Sequence, residues 1–336
     1  HSRVDLEGEV KVQRATACLL RVQIDLPGLA QRVGLDEVAL VVDVEAMVHG
    51  VILQVCDETG DVDGGHVSSL PRRCDIADMG AMVGDDDLID LLRSAADAVG
   101  DALAPLTNWG PSGERVGQYR SDLVADAAVR GVLAGTGVGV LSEESGEHEL
   151  SAEVVVVVDP LDGSTNASRQ LPWYATSLCA VDADGPRGAV VRNLVTGRSY
   201  EALRGGGATV DGTRISPGGC ERIDDAIVGI SGLPPRHLGW RQFRAFGAIA
   251  LDLCAVADGT LDGFIDCSVD AHGVWDYLGA LLVCREAEAP VVDALGRDLV
   301  VLDHHARRTP VAASTAVLLE ALTVARRSFV DAPPLS

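Results

Sequence analysis

The stretch Val154-Val155-Val156-Val157-Val158-Asp159-Pro160-Leu161-Asp162-Gly163-Ser164-Thr165-Asn166 decides the fold of this chain. Five consecutive valines without polar alternation read as a strand covered on both faces, the kind buried inside an α/β sheet. Such a strand delivers the residues that follow it to a sheet end. There Asp159 and Asp162 stand three positions apart, with the backbone carbonyl of Leu161 between them. Oxygen-only ligands of this kind suit a hard cation such as Mg²⁺. Gly163, Ser164, Thr165 and Asn166 are small and polar, able to open a helix whose free N–H groups would hold a phosphate. A buried strand, a carboxylate pair and an anion-binding turn together describe metal-assisted phosphoryl transfer. Helix capping by Asp159 or Asp162 is the plainer alternative.

The chain has 336 residues, room for two small domains or one large layered one. Aromatics make up only 4% of it, so the core must be built from Val, Leu, Ala and Ile. A formal net charge of −23 would repel a nucleic-acid backbone, which excludes non-specific DNA or RNA binding. The same charge does not forbid an anionic substrate, because bound divalent cations reverse the local sign. Eight scattered cysteines without a CxxC pair read as reduced thiols of a cytoplasmic protein. No apolar run approaches the ~18 residues of a membrane helix, so no membrane partner is expected.

Residues 1–81 differ in texture from the rest and read as an N-terminal extension, poorly structured or preceding a true start at Met79 or Met82. Val38 to Val42 is its one strand candidate. Asp61-Val62-Asp63-Gly64-Gly65 lacks the EF-hand spacing and reads as an acidic turn. From Asp85, apolar residues recur at helical spacing through Ala104, and a second helix is expected over Ser121–Leu133. Val138 to Leu141 reads as a short strand delivering Glu143. Tyr174–Val181, Ala189–Asn193 and Ser199–Leu203 read as sheet strands parted by Asp-Gly and Thr-Gly turns. Gly205-Gly206-Gly207 is expected to be a tight turn rather than a phosphate cradle. A domain change near Pro217-Gly218-Gly219 divides an α+β domain, 82–218, from an α/β domain, 219–331. In the latter, strands and helices alternate over Ala226–Ser231, Gly247–Asp258, Gly263–Cys267 and the helix from Trp275.

Three separated motifs, in order, carry a resemblance. Asp159 to Asn166 resembles the signature of the inositol monophosphatase superfamily. Trp275-Asp276, with the small, apolar helix after it, resembles that group's second signature. Ser142-Glu143-Glu144-Ser145 resembles its upstream acidic pair. The similarity spans roughly residues 85 to 328 and implies a layered α/β/α/β/α sandwich. The activity it implies is Mg²⁺-dependent hydrolysis of a small phosphate monoester by a homodimer. By resemblance, the metal ligands fall on Glu143, Asp159, Leu161 (carbonyl), Asp162 and Asp276. The other reading of Glu143 is a solvated acidic loop; that of Asp276 is an N-cap, compatible with ligation.

The resemblance also implies that Ser164 orients the attacking water, paired with an acid of a first-domain helix. Asp126 is the candidate for that acid, although an ungapped match puts Ala128 there and a surface-helix role for Asp126 stands beside it. The family's basic residue just upstream has no clear match, Arg120 being nearest. Gly163, Ser164, Thr165 and Asp276 are expected around the phosphate and its leaving group. Asp266 resembles a position set against sugar or cyclitol hydroxyls. His272, between Asp266 and Asp276, is either a substrate contact or a bystander. An inositol monophosphate-like substrate is the first expectation. 3′-Phosphoadenosine 5′-phosphate, fructose 1,6-bisphosphate and histidinol phosphate are alternatives. A catalytically weak, metal-binding regulatory protein on the same fold is the rival of another class.

Overall fold

The computed structural model describes residues 84–268 and 270–329 and, ahead of them, strands β1 (Val10–Arg14), β2 (Leu19–Ile24) and β3 (Val41–Asp43). The chain divides into two compact units, His1–Asp75 and Ile76–Ser336. In the first, the three strands pair antiparallel in the order β1-β2-β3. The strand expected over Val38–Val42 is described only from Val41, and it pairs with β2 in this small sheet. The Asp61–Gly65 turn, Met79 and Met82 lie outside the described residues.

The second unit opens with α1 (Asp85–Leu103), which buries Leu88, Ile89, Leu92, Ala95, Ala96, Val99 and Leu103 along one face. Its first turn carries Asp85, Asp86 and Asp87, which suits the positive end of the helix dipole. Helix α2 (Arg120–Leu133) packs beside it, with Val129 and Leu133 facing the same core. An eight-stranded sheet follows, with β4 (Gly139–Ser142), β5 (Gly146–His148), β6 (Val155–Asp162), β7 (Ala175–Asp182), β8 (Gly185–Asn193), β9 (Ser199–Leu203), β10 (Gly207–Val210) and β11 (Thr213–Arg214). Its order is β11-β10-β9-β8-β7-β6-β4-β5, antiparallel except where β4 runs parallel to β6. The one-turn helix α3 (Ser164–Ser168) follows β6.

The remaining elements are β12 (Ile227–Ser231), β13 (Gln242–Arg244), α4 (Ile249–Ala257), β14 (Gly263–Asp266), α5 (Val274–Glu286), β15 (Val291–Asp293), β16 (Pro310–Ala313) and α6 (Ala316–Arg327). The strands form a second sheet in the order β13-β12-β14-β16-β15, parallel over the first three.

The valine run explains the layering. Val154, Val156 and Val158 pack into the core of α1 and α2, while Val155 and Val157 pack against α4 and α5. Every residue of α4 is buried, as expected of a helix apolar all round. On the far side of α4 and α5, Phe264 and Ala312 of the second sheet join the same core. The other face of that sheet presents Val228, Ile230, Ile265 and Val311 to Leu318 and Leu322 of α6. The order is therefore helices, large sheet, helices, small sheet, helix: the expected α/β/α/β/α sandwich. Gly279 lets α5 lie directly on the large sheet; a Cβ there would come within 2.8 Å of Ser177 Oγ and 3.3 Å of Val191 Cγ2.

Candidate metal centre

β4 and β6 lie side by side, so the residues at their C-terminal ends meet. The Glu143 N–H donates to the Val158 carbonyl at 3.1 Å, which sets the Glu143 side chain beside Asp159. The β6–β7 register slips between Asp159 and Asp162, around Pro160, which has no N–H to give to the ladder. Within that irregularity the Leu161 N–H turns inward and donates to Asp159 Oδ1 at 3.0 Å. Leu161 itself is buried between the two carboxylates.

Gly163 then takes φ +85°, and a Cβ at this position would press on Ala248 Cβ and on the carbonyls of Gly247 and Trp173 at 3.0–3.1 Å. Only glycine lets the chain turn there into α3. Asn166 locks the turn by donating through Nδ2 to the carbonyls of Trp173 and Phe246, both at 2.7 Å. Asp162 points away from the turn toward α4, where its Oδ2 accepts from the Ala250 N–H at 2.7 Å.

The third element is α5. Asp276 sits in its first turn, three residues past the N-cap Gly273, and its Oδ2 accepts from the Gly273 N–H at 2.7 Å. It therefore caps the helix from within the first turn rather than from the N-cap position expected as an alternative. Asp276 also reaches the centre: ligand atoms of Glu143, Asp159 and Asp276 all lie within 4.8 Å of one another. Asp162 is not in that group, although it is near enough to Asp276 to be felt electrostatically.

Burial, and then the neighbouring carboxylates, hold Glu143, Asp159 and Asp162 well above the ordinary carboxyl range. Arg115 ends on Glu144 rather than on Glu143. A desolvated, mutually repelling set of carboxylate oxygens, with the His272 ring touching it only on the Asp276 side, fits a hard divalent cation. The surroundings are acidic as well. Burial raises Asp122 to about 6 and Asp252 to about 7, the latter opposed by the Trp173 Nε1–H bond to its Oδ1 at 2.8 Å. At His272, burial works against the imidazolium, but the Asp266 and Asp276 carboxylates outweigh it and push the group up to about 10.

The other residues singled out in the sequence fall in different places. Ser164 and Thr165 are in the first turn of α3, beside the centre, with Thr165 Oγ1 3.3 Å from the Tyr119 hydroxyl. Asp126 is not hydrogen-bonded to Ser164. Its Oδ1 accepts from Ser142 Oγ at 2.6 Å and Ser145 Oγ at 2.9 Å, the residues that flank Glu143 and Glu144. Asp266 is 0% exposed, with Oδ1 accepting from the Ser268 N–H at 2.8 Å, so it presents no surface to a substrate in this structure. Arg120 forms no side-chain hydrogen bond among the described residues. Arg115 and Gln118 instead bind the Glu144 carboxylate, a contact the sequence reading missed. No spacing rule announces it, because it depends on how the loop before α2 folds back.

The chain is similar to known proteins both in sequence and in fold. A sequence profile described as the inositol monophosphatase family matches residues 122–330. The fructose-1,6-bisphosphatase/inositol-1-monophosphatase of Methanothermobacter thermautotrophicus is 32% identical over 257 residues, covering 67% of this chain and 91% of that protein. The inositol-1-monophosphatase of Rhizobium meliloti is 36% identical over 157 residues, covering 42% of this chain and 57% of that one. Among solved structures, a hypothetical protein from Pyrococcus horikoshii with similarities for inositol-1 monophosphatase aligns with a TM-score of 0.63 at 25% identity. That alignment covers 71% of this chain and 96% of the other.

Proposed function

This chain belongs to the inositol monophosphatase family, and from that premise we propose that it is a Mg²⁺-dependent phosphatase of a small phosphate monoester resembling an inositol monophosphate. The observation that carries the reading is the convergence of Glu143, Asp159 and Asp276 within 4.8 Å, beside the Gly163-Ser164-Thr165 turn. Asp162 and the Leu161 carbonyl complete the proposed ligand set. Mg²⁺ held by these residues would supply Lewis-acid activation of water and charge neutralisation at the leaving oxygen.

The chain's own residues do the rest. First-turn N–H groups lack intrahelical acceptors, which supports Gly163, Ser164 and Thr165 as the residues that hold the phosphate. The Ser164 hydroxyl orients the attacking water, and Glu143, on the neighbouring strand end, is its catalytic partner. Asp276 serves both the centre and the leaving-group side. Release of phosphate from inositol monophosphate, 3′-phosphoadenosine 5′-phosphate, fructose 1,6-bisphosphate and histidinol phosphate, with and without Mg²⁺, tests the proposal. Absence of Mg²⁺-dependent release from all four would favour the regulatory alternative.

For Asp126 we propose a supporting role in place of water positioning. Asn keeps an oxygen for the Ser142 and Ser145 hydroxyls, whereas Ala leaves both without an acceptor, at about 1–3 kcal/mol for a buried polar group. Asp126→Asn is therefore expected to keep most turnover, and Asp126→Ala to lose both stability and turnover. Equal, near-complete loss in both variants at unchanged stability would return Asp126 to the water.

We further propose that residues 82–331 carry the activity and that residues 1–81 are dispensable to it. The support is that every proposed ligand lies in the second compact unit. Protein lacking residues 1–81 is expected to unfold cooperatively and to keep its phosphatase rate; aggregation or a melting point lower by many degrees would refute this. A cytoplasmic homodimer completes the reading. Cys179, Cys254, Cys267 and Cys284 are buried free thiols, which supports a reducing compartment. Among the described residues no helix is long and apolar enough to cross a membrane. Light scattering of purified protein tests the dimer.

A further inference from the structure

His272 lies against Asp276 at the edge of the candidate centre, and the reaction as proposed gives it no task. Its ring is held from three elements. Nε2 is 3.2 Å from Ser231 Oγ at the end of β12 and 3.6 Å from Asp266 Oδ1 at the end of β14. Nδ1 is 3.4 Å from Asp276 Oδ2 in the first turn of α5. The backbone is fixed as well, since the His272 carbonyl accepts from the Arg308 N–H at 2.9 Å. Oδ2 of Asp276 thus faces both the His272 ring and the Gly273 N–H, two contacts that fix the orientation of this carboxylate.

Asp266 stands behind the ring. It is fully buried, and its Oδ2 has no hydrogen-bond partner. A carboxylate in that state, facing an imidazole, is a support for the ring rather than a surface for substrate. Arg326 anchors this support in turn, donating from Nε to the Asp266 carbonyl and from Nη2 to the Ser268 carbonyl, both at 2.5 Å.

We propose that His272, backed by Asp266 and Ser231, is a positioning residue that fixes the Asp276 carboxylate in its metal-ligating orientation. The proposal rests on the metal-centre reading above. It also removes Asp266 from the substrate contacts expected from the sequence. A partner that orients a metal ligand typically changes affinity by about 10–100-fold when removed.

The test is Mn²⁺ binding to metal-free, full-length protein without substrate, with free Mn²⁺ followed by electron paramagnetic resonance. His272→Ala is expected to bind about 10-fold more weakly or worse. His272→Asn, whose amide N–H can stand in for Nδ1, should recover most of that loss. Asp266→Asn, although it touches no ion, should weaken binding by a few-fold. Wild-type affinity in His272→Ala, tighter binding in it, or equal losses in the Ala and Asn variants would overturn the proposal. So would an Asp266→Asn variant with raised KM and unchanged Mn²⁺ affinity, which would return Asp266 to the substrate. If His272→Ala does not fold, the other two variants decide, and wild-type affinity in both overturns it. A wild-type protein that binds no Mn²⁺ overturns the metal-centre reading itself, and this proposal with it.

Discussion

Asp159→Asn is expected to reduce turnover by about 10³-fold or more, the equivalent of several kcal/mol of lost charge stabilisation, while making the metal-free protein more stable. Both effects come from one location. Asp159 is 1% exposed at the end of a fully buried strand, and its carboxyl is raised first by burial and then by Glu143, Asp162 and Asp276. A carboxyl whose folded pKa exceeds its unfolded value of 3.8 binds more protons in the folded state. Stability of the metal-free protein therefore falls as pH climbs from that value through the raised one, and Asn removes this share of the fall. Melting curves in chelator at about pH 5 and about pH 8 should show the variant gaining on the wild type at the higher pH. Turnover near the wild-type rate, or a variant less stable at the higher pH, would be incompatible with an anionic metal centre at Asp159.

Trp275→Ala should destabilise the protein by about 3–5 kcal/mol, the usual range for a buried aromatic cut back to a methyl group, and reduce turnover with it. Trp275 is 4% exposed and packs against the His304 ring at a centroid distance of 4.6 Å, with the Arg307 guanidinium 5.1 Å from its own ring. His304 in turn places Nε2 3.4 Å from the Glu143 carbonyl. The indole therefore ties the start of α5, and with it Asp276, to the turn that carries Glu143. Gly273 makes room for it, since a Cβ there would strike the indole at 2.4 Å. Phe keeps a ring for both neighbours and should lose much less. Urea unfolding measures the first effect and phosphate release the second. An alanine variant within about 1 kcal/mol of wild type would mean that the stack carries little of the stability.

The parts of this architecture that could be read from the chain are those encoded by consecutive residues. Five valines specify a strand buried on both faces without reference to anything distant, and the structure divides them between two cores. The spacing of Leu88, Leu92, Ala96, Val99 and Leu103 likewise specifies a helix, and its bounds came within a residue. Glu143, Asp159 and Asp276 were legible as acids at motif positions, and the structure brings them together.

What was not legible depends on who faces whom. Asp126 looks like any acid on a helix until Ser142 and Ser145 are seen to fill its Oδ1. The strand ending in Asp266 could equally have opened into a pocket; that its side chain is sealed behind His272 follows from how β12, β14 and α5 end together. Arg115 reaches Glu144 only because the loop before α2 doubles back, a path set by turns rather than by periodicity.

The way the centre is assembled bears on how long the molecule lasts. Glu143 and Asp159 are joined by a parallel strand pair, and Asp276 arrives on a helix far along the chain. Contacts between distant residues form late in folding, because loop closure precedes their reward. The three carboxylates also repel one another as they close, so the centre is a late event on both counts. A cation held by all three, as proposed, would then be absent from the folding transition state, and interactions absent from that state slow unfolding while leaving folding almost unchanged. Surrounding cation concentration would thus govern the half-life of the native molecule, not the speed at which it forms.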